Sequence, residues 1–170
     1  CLSLLGLARD LNVFYETNLD LNIHTSEVAD LDLNFTNDVD EKCPSISFLN
    51  IEIDSNVSKY KDYLEEYFTD LKLNKNNFFT DVSNYIAYEM GQPTHSYDFD
   101  LLPDASITLT NKTTENKFKT LLDKDIELDG SDMVFMCHKK IINLAGIIGG
   151  MDTSCSKKTK NALVECAYFL

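Results

Sequence analysis

A polar segment near the middle of the chain carries the side chains best suited to chemistry. Gln92, Thr94 and His95 supply an amide, a hydroxyl and an imidazole directly after a predicted helix end. Gly91 and Pro93 end that helix, because glycine suits the left-handed cap and proline cannot continue a helix. The segment is interpreted as a loop, and a simple connection does not require this much polar chemistry, so it is a candidate site.

His95 has two interpretations from its surroundings in the sequence, a core histidine with satisfied hydrogen bonds or a site residue. The chain has three histidines, and no serine or acidic residue stands at a spacing that predicts a nucleophilic triad.

Cys166 lies beside Glu165, but an apolar flank raises the pKa of a thiol, so a thiol nucleophile is not expected.

Glu165 is the single charged residue in the apolar run 162–169. A carboxylate in a predicted buried strand pairs with a buried partner, faces solvent by alternation, or awaits a ligand donor. The pattern leaves these three alternatives open.

The glycines Gly146, Gly149 and Gly150 allow the backbone to approach a ligand or a neighbouring strand closely. They do not form a phosphate loop, because no Gly-Lys-Ser/Thr follows and the G-x-G-x-x-G order is absent. Taken alone, the cluster indicates a tight turn between strands.

A short helix must position the polar segment. Val82, Ile86 and Met90 recur at four-residue steps, which predicts one apolar helix face. Asp81 is the expected N-cap, and Phe78-Phe79 is expected to form a short strand leading into the helix. Asn84 and His95 are then held at the two ends of one rigid unit.

The remainder of the first half predicts two more helices and a connector. Helical spacing marks 2–15 and 57–71, and the tyrosines of the second indicate core packing rather than base stacking. Residues 16–42 contain eight acidic residues and one basic residue, which predicts an exposed, solvated connector with one short strand. Its isolated apolar anchors are Leu21, Ile23, Leu31, Leu33 and Phe35.

The strands follow a different pattern. Residues 46–53 predict a strand whose alternation slips near Leu49 and permits a bulge there. After Asp100, alternation and β-branched residues predict hairpins. The predicted strands are 107–109, 118–122, 126–128, 133–137, 141–144 and 162–169. This order predicts an α+β fold with a mixed, mostly antiparallel sheet and a few packed helices.

Composition bounds the function classes. The 170 residues are 44% hydrophobic and 11% aromatic, which favours a globular fold. A net charge of −13 disfavours non-specific binding of nucleic acid, because the phosphate backbone binds cationic side chains. Five cysteines without a C-x-x-C pair or clustered histidines make a zinc site improbable and fit reduced thiols. No apolar run has the length of a membrane helix. The ends at Cys1 and Leu170 suggest a fragment of a longer chain.

Two long blocks carry a specific resemblance. "FTDVSNYIAYEMGQPTHSYDFD" and "INLAGIIGGMDTSCSKKTKNALVECAYF" closely resemble the editing domain of the bacterial phenylalanyl-tRNA synthetase β subunit. The family pattern is roughly D-V-T-N-Y-V-x-x-E-x-G-Q-P-x-H-A-F-D, then A-G-x-x-G-G-x-x-S-x-V and L-E-x-A-x-F. "CLSLLGLARD" and Cys43-Pro44 resemble it more weakly. The resemblance implies an upstream helix and acidic connector over 1–42 and an editing-domain core over 43–170, truncated at its C-terminal end.

The resemblance implies hydrolysis of the ester in Tyr-tRNA(Phe). The apolar pocket in which a synthetase selects phenylalanine cannot fully exclude tyrosine, which only adds a hydroxyl. A second pocket with a buried acceptor can bind the tyrosine hydroxyl and reject phenylalanine. Glu165 is then the acceptor for the phenol, with Gly149 and Gly150 lining the substrate pocket. The residues implied around the ester, the terminal adenosine and the attacking water are His95, Asn84 and Ser83.

The same resemblance implies no cofactor in this fragment, with ATP and magnesium used by the parent enzyme. The implied partners are the 3′ end of tRNA(Phe) and a synthetase α subunit in an (αβ)₂ assembly in the cytoplasm, without a membrane.

The sequence departs from the family pattern at several positions. The family's Thr-Asp-Ala-Ser segment lies beyond Leu170, Ser83 replaces a commoner Thr, Ser45 replaces an Arg, and an Arg has no counterpart around 108–110. A non-catalytic structural or tRNA-docking module, and a free-standing hydrolase of other esters, remain alternatives.

Overall fold

The computed structural model describes residues 3–20 and 26–170. Within them the chain forms three α-helices, ten strands and two short 3-10 turns. The helices are α1 (Leu4–Tyr15), α2 (Asp62–Asp70) and α3 (Phe78–Met90). The first five strands are β1 (Asn34–Asn37), β2 (Ser45–Glu52), β3 (His95–Asp98), β4 (Ser106–Thr110) and β5 (Lys117–Lys119). The others are β6 (Asp125–Glu127), β7 (Val134–Cys137), β8 (Lys140–Leu144), β9 (Ile148–Gly149) and β10 (Asn161–Tyr168).

The larger sheet has five strands in the order β1-β4-β7-β8-β9. β1 runs parallel to β4, and the other neighbours are antiparallel. Strands β5 and β6 form a separate hairpin. The predicted α+β class with a mixed, mostly antiparallel sheet is therefore confirmed.

The smaller sheet is β2-β10-β3, with β10 in the centre and antiparallel to both neighbours. Its register sets Glu165 between Phe48 on β2 and His95 on β3. The pairing of β2 with β10 is continuous from Ser45 to Glu52, so the bulge that the pattern permitted near Leu49 is not formed. Exposed Leu49 simply takes an outward position in the alternation.

One core joins the two sheets. Tyr97 and Leu163 from the smaller sheet pack with Leu109, Phe135 and Ile142 from the larger one. Because successive side chains of a strand point to opposite faces, residues two apart on β3 and β10 share the face toward this core. That rule decides which polar groups meet.

The start of α3 differs from the sequence prediction. Phe78 and Phe79 belong to the helix, and Asn77 is the N-cap, accepting a hydrogen bond from the Thr80 N–H at 3.1 Å. Asp81 lies in the first turn instead, fully buried, and accepts from the Tyr60 hydroxyl at 2.6 Å. An asparagine one residue before the aromatic pair caps as well as an aspartate does, so the helix begins earlier. Its end at Gly91, with φ of +78°, is confirmed.

The other helices match the prediction in part. α2 buries Leu64 and Phe68, as its stripe predicted, but begins at Asp62 rather than at Val57. α1 begins at Leu4, with Ser3 as its N-cap, rather than at Leu2, which lies outside the described residues. It buries none of its side chains in this chain.

The acidic connector contains the one short strand that was predicted, β1. Leu31, Leu33 and Phe35 pack against the main core, while Leu21 and Ile23 lie outside the described residues. Among the helices of the described residues, none has the length and apolar character needed to cross a membrane.

Candidate functional site

A cleft of about 370 Å³ opens where the two sheets meet. The polar segment after α3 forms one wall, the turn between β8 and β9 forms another, and the end of β10 closes it. The lining residues are Gln92, Pro93, Thr94, His95, Asn143, Gly146, Ile147, Ile148, Glu165, Ala167, Tyr168 and Phe169. The volume lies in the range of about 300–1,000 Å³ that is usual for small-molecule sites.

Glu165 lies deep in this cleft with 5% of its surface exposed. Its Oε2 accepts a 2.6 Å hydrogen bond from the Tyr97 hydroxyl, and the Asn143 amide donates to Tyr97 Oη at 2.8 Å. No residue within 3–20 and 26–170 forms an ion pair or a hydrogen bond with Oε1. Of the three alternatives for this carboxylate, pairing with a buried partner is the one observed, and one oxygen is left over.

Burial sets the ionisation of Glu165. Desolvation raises its pKa to about 7, and the hydrogen bond from Tyr97 opposes that rise. The pKa of Tyr97 is raised well above its ordinary value by its own burial and by the nearby carboxylate. The proton between them therefore belongs to the phenol.

His95 stands directly opposite Glu165 in the β3–β10 pairing. Its ring lies 4.5 Å from that of Tyr97 in an edge-to-face contact, and its Nε2 is buried with no hydrogen-bond partner in the described chain. Burial lowers the pKa of His95 to about 4, so the imidazole is neutral at neutral pH. Beside it, the buried Thr94 Oγ1 also has no partner in the described chain. Buried polar atoms are rarely left this way, which marks both as candidates for ligand contacts.

Gly149 provides the space that the imidazole occupies. A Cβ at this position would lie 2.2 Å from His95 Cε1 and 2.6 Å from His95 Nε2. Gly150 serves the sheet instead, since its Cβ would lie 2.8 Å from the Ile142 carbonyl oxygen that accepts its own N–H. Neither of the two glycines predicted to bind substrate is among the residues that line this cleft, although Gly149 packs against the cleft side chain of His95. Their predicted roles stay predictions.

The structure does not bring Ser83 and Asn84 to the cleft. Ser83 Oγ lies 2.9 Å from Ser96 Oγ, and Ser96 points away from His95 and Tyr97 because it alternates with them along β3. Asn84 is exposed on α3. Helix α3 therefore covers the outer face of the smaller sheet, and roles for these two residues at the ester stay predictions.

Two residues of the site were missed in the sequence. Tyr97 is two residues after His95, and the period of a strand would have placed both on one face. Asn143 is the one polar residue in the apolar run of β8, which is a signal for a buried hydrogen-bonding role. Neither could be recognised while the polar segment was interpreted as a loop.

None of the cysteines in the described ranges is among the residues that line this cleft. Cys43, Cys137, Cys155 and Cys166 are free thiols, and burial raises the pKa of Cys166, as its apolar flank predicted. In the described ranges no group of three or more His, Cys, Asp or Glu side chains is placed to hold a metal ion.

Fold and site together define a class: an α+β domain that holds a buried carboxylate and a neutral imidazole in a cleft between two sheets. The model of the B3/4 domain family matches residues 43–170, and the chain belongs to that family.

Two similar proteins carry the name of one enzyme subunit. The phenylalanine–tRNA ligase beta subunit of Fusobacterium nucleatum is 28% identical over 99% of this chain and 21% of its own length. The beta subunit of Carboxydothermus hydrogenoformans is 31% identical, with 99% and 21% covered. The chain thus spans about a fifth of the length of these relatives, and it is homologous to a segment of the ligase beta subunit.

A solved structure shows the same fold. It is an N-terminal fragment of the phenylalanyl-tRNA synthetase beta subunit from Pyrococcus horikoshii, with a TM-score of 0.59 at 13% identity. The match covers 85% of this chain and 46% of that fragment.

Proposed function

We propose that this chain is the editing domain of a phenylalanyl-tRNA synthetase beta subunit and hydrolyses the ester of mischarged Tyr-tRNA(Phe). The parent enzyme then ligates phenylalanine to tRNA(Phe) with ATP and magnesium. Homology to the ligase beta subunits supports the parent enzyme, and the chemistry of the cleft supports the editing step.

One observation carries the proposal, the half-satisfied carboxylate of Glu165. Its Oε2 is held by Tyr97, while its Oε1 has no hydrogen-bond partner among the described residues. A tyrosyl phenol entering the cleft donates to Oε1. A phenylalanyl ring covers the same oxygen without a donor, and an ionised acceptor left desolvated and unpaired costs about 1–3 kcal/mol or more. The cleft therefore favours the wrong amino acid, which is what editing requires.

His95 serves the ester end of the substrate. An aminoacyl ester is already activated, so positioning a water and stabilising the developing oxyanion suffice for hydrolysis. Water adds to the ester carbonyl, and collapse of the tetrahedral intermediate breaks the bond to the ribose oxygen, releasing tyrosine and the tRNA 3′ hydroxyl. Because its pKa is about 4, His95 is a weak base, and we assign it to hydrogen bonding rather than to proton abstraction.

The proposed partners follow from the same homology. They are the 3′ end of tRNA(Phe), and a synthetase alpha subunit in an (αβ)₂ assembly in the cytoplasm. With a net charge of −13, this chain contributes little of the attraction to the tRNA backbone, which falls to other parts of the parent enzyme.

A non-catalytic structural or tRNA-docking module is the second candidate. The burial of His95 Nε2 against Gly149, and the positions of Ser83 and Asn84 outside the cleft, favour it. A free-standing hydrolase of other esters is the third, and it predicts no preference for a phenol.

Deacylation of Tyr-tRNA(Phe) and Phe-tRNA(Phe) by the assembled parent enzyme tests the proposal. Glu165→Ala is expected to lower the ratio of tyrosyl to phenylalanyl hydrolysis at least about tenfold, since it removes the phenol acceptor. His95→Ala is expected to slow the tyrosyl reaction about 100-fold.

Exposed residues of the same type provide the controls, Glu52→Ala for the carboxylate and His138→Ala for the imidazole. Unchanged rates in both site variants would support the docking module. Equal losses for every aminoacyl ester in both variants would contradict the assigned division of roles.

A further inference from the structure

Asn143, Tyr97 and Glu165 form a buried chain of hydrogen bonds that ends at Glu165 Oε2 and leaves Oε1 unbonded within the described residues. Asn143 Nδ2 lies 2.8 Å from Tyr97 Oη and 3.5 Å from Glu165 Oε2, and Tyr97 Oη lies 2.6 Å from that same oxygen. Tyr97 is completely buried and Asn143 is 3% exposed. The phenol therefore cannot exchange its partner for water while the chain is folded.

The direction of the hydrogen bonds is fixed by the donors available. An asparagine Nδ2 can only donate, so Tyr97 Oη accepts from Asn143 and must send its single proton to Glu165 Oε2. That oxygen is an acceptor in either ionisation state of Glu165. Any proton that the carboxyl gains therefore resides on Oε1, which faces the cleft.

We propose that Tyr97 is a specificity-determining positioning residue, a permanent first phenol that fixes the Glu165 carboxylate and leaves Oε1 as the acceptor for a second phenol brought by the ligand. The inference rests on the proposed function and adds to it how the acceptor is kept ready. The hydroxyl of Tyr97 does not compete with the ligand, because it uses the other oxygen.

Few titratable groups other than Tyr97 lie close enough to Glu165 to stabilise its carboxylate. His95 and Tyr97 face Glu165 from β3, the Cys43 thiol faces it from the segment before β2, and Cys166 adjoins it on β10. From the larger sheet the neighbour is Asn143, which does not titrate. No lysine or arginine of the described residues forms an ion pair with Glu165. The hydrogen bond from Tyr97 is thus the interaction that opposes the burial penalty on the carboxylate.

Tyr97→Phe removes that interaction without removing the ring. We expect the titration midpoint of the Glu165 side-chain carboxyl, followed by ¹³C NMR in the labelled chain, to move upward by about one pH unit from its wild-type position. The matched control is Tyr60→Phe, which deletes another 2.6 Å phenol–carboxylate bond, to Asp81 in α3, away from the cleft. It should leave the Glu165 midpoint in place. A midpoint that is unmoved or lower in Tyr97→Phe overturns the inference.

Ester hydrolysis separates this inference from the proposed function. Selectivity for tyrosyl over phenylalanyl ester should rise with pH as Oε1 loses its proton, and in Tyr97→Phe that rise should be displaced to higher pH by the same interval. A purely structural role for Tyr97 would lower selectivity equally at every pH and would overturn the inference alone. A wild-type enzyme that never discriminates between the two esters overturns the proposed function, whatever the NMR midpoints show.

Discussion

Glu165 and His95 are both kept from their ordinary charge states by the same cleft. Burial raises the pKa of the carboxyl to about 7 and lowers the pKa of the imidazole to about 4. Between these values both side chains are predominantly neutral. Above pH 7 the carboxyl is ionised while the imidazole stays neutral, and this is the state in which Oε1 is available as an acceptor.

Glu165→Gln should reveal the energetic cost of the buried carboxylate. The folded-state pKa of about 7 lies above the reference value of 4.5, so the stabilising contribution of the neutral form is complete below pH 4.5 and is lost as pH rises through 7. Wild type should lose about 3 kcal/mol of unfolding free energy relative to Glu165→Gln between pH 4 and 8. Urea unfolding across this range measures the difference.

The control for this titration is Glu52→Gln, a change at an exposed position of β2. It should leave the pH dependence of stability as in wild type. A constant difference between wild type and Glu165→Gln at every pH would mean that the carboxyl is not held neutral by burial.

Gly149→Ala should displace the imidazole, because the new Cβ would lie 2.2 Å from His95 Cε1. We expect a loss of about 1–3 kcal/mol of stability from overpacking, and at least tenfold slower hydrolysis. Gly130→Ala is the matched change, since nothing lies within 4 Å of its Cβ. Urea unfolding and deacylation rates measure both. Wild-type values in Gly149→Ala would show that His95 does not require this space.

At the scale of elements, α3 is anchored by Asp81 rather than capped by it. The carboxylate accepts hydrogen bonds from the Tyr60 hydroxyl and from the Asn76 N–H at 2.9 Å, joining the start of the helix to the segment before α2. This ties down the far end of the helix whose last residue leads into the polar segment. The anchor is a structural contribution to the site from outside the cleft.

Asp81→Ala should destabilise the chain by about 1–3 kcal/mol, because the half-buried Tyr60 hydroxyl and the Asn76 N–H both lose the acceptor that the buried carboxylate supplies. Asp62→Ala, a change at an exposed carboxylate in the first turn of α2, should stay within about 0.5 kcal/mol of wild type. Thermal or urea unfolding compares the two. Similar small losses in both variants would remove Asp81 from the role of an anchor.

Elements were predictable from the sequence where a single rule decided them. The end of α3 followed from Gly91, and β10 followed from its apolar run. The start of α3 did not, because Asn77 and Asp81 both satisfy the sequence preferences of a cap and only the packing of Phe79 decides between them. The stripe of α1 predicted a helix correctly, but periodicity says nothing about whether its apolar face is covered.

At the scale of the whole molecule, the site exists because two sheets pack face to face. The pair His95–Glu165 of the smaller sheet lies over the pair Asn143–Gly149 of the larger one. His95 and Glu165 were identified from the sequence as unusual residues. Their meeting with Asn143 depends on strand order and register, which no local pattern encodes.

The most direct test is the binding of a non-hydrolysable tyrosyl-adenosine analogue and its phenylalanyl counterpart, measured by calorimetry at pH 8 with the folded chain. If Glu165 Oε1 accepts a hydrogen bond from the phenol, the tyrosyl analogue binds wild type at least about tenfold more tightly than the phenylalanyl analogue. The preference then disappears in Glu165→Ala. Equal affinities for the two analogues in wild type, or a preference that survives Glu165→Ala, would contradict this account.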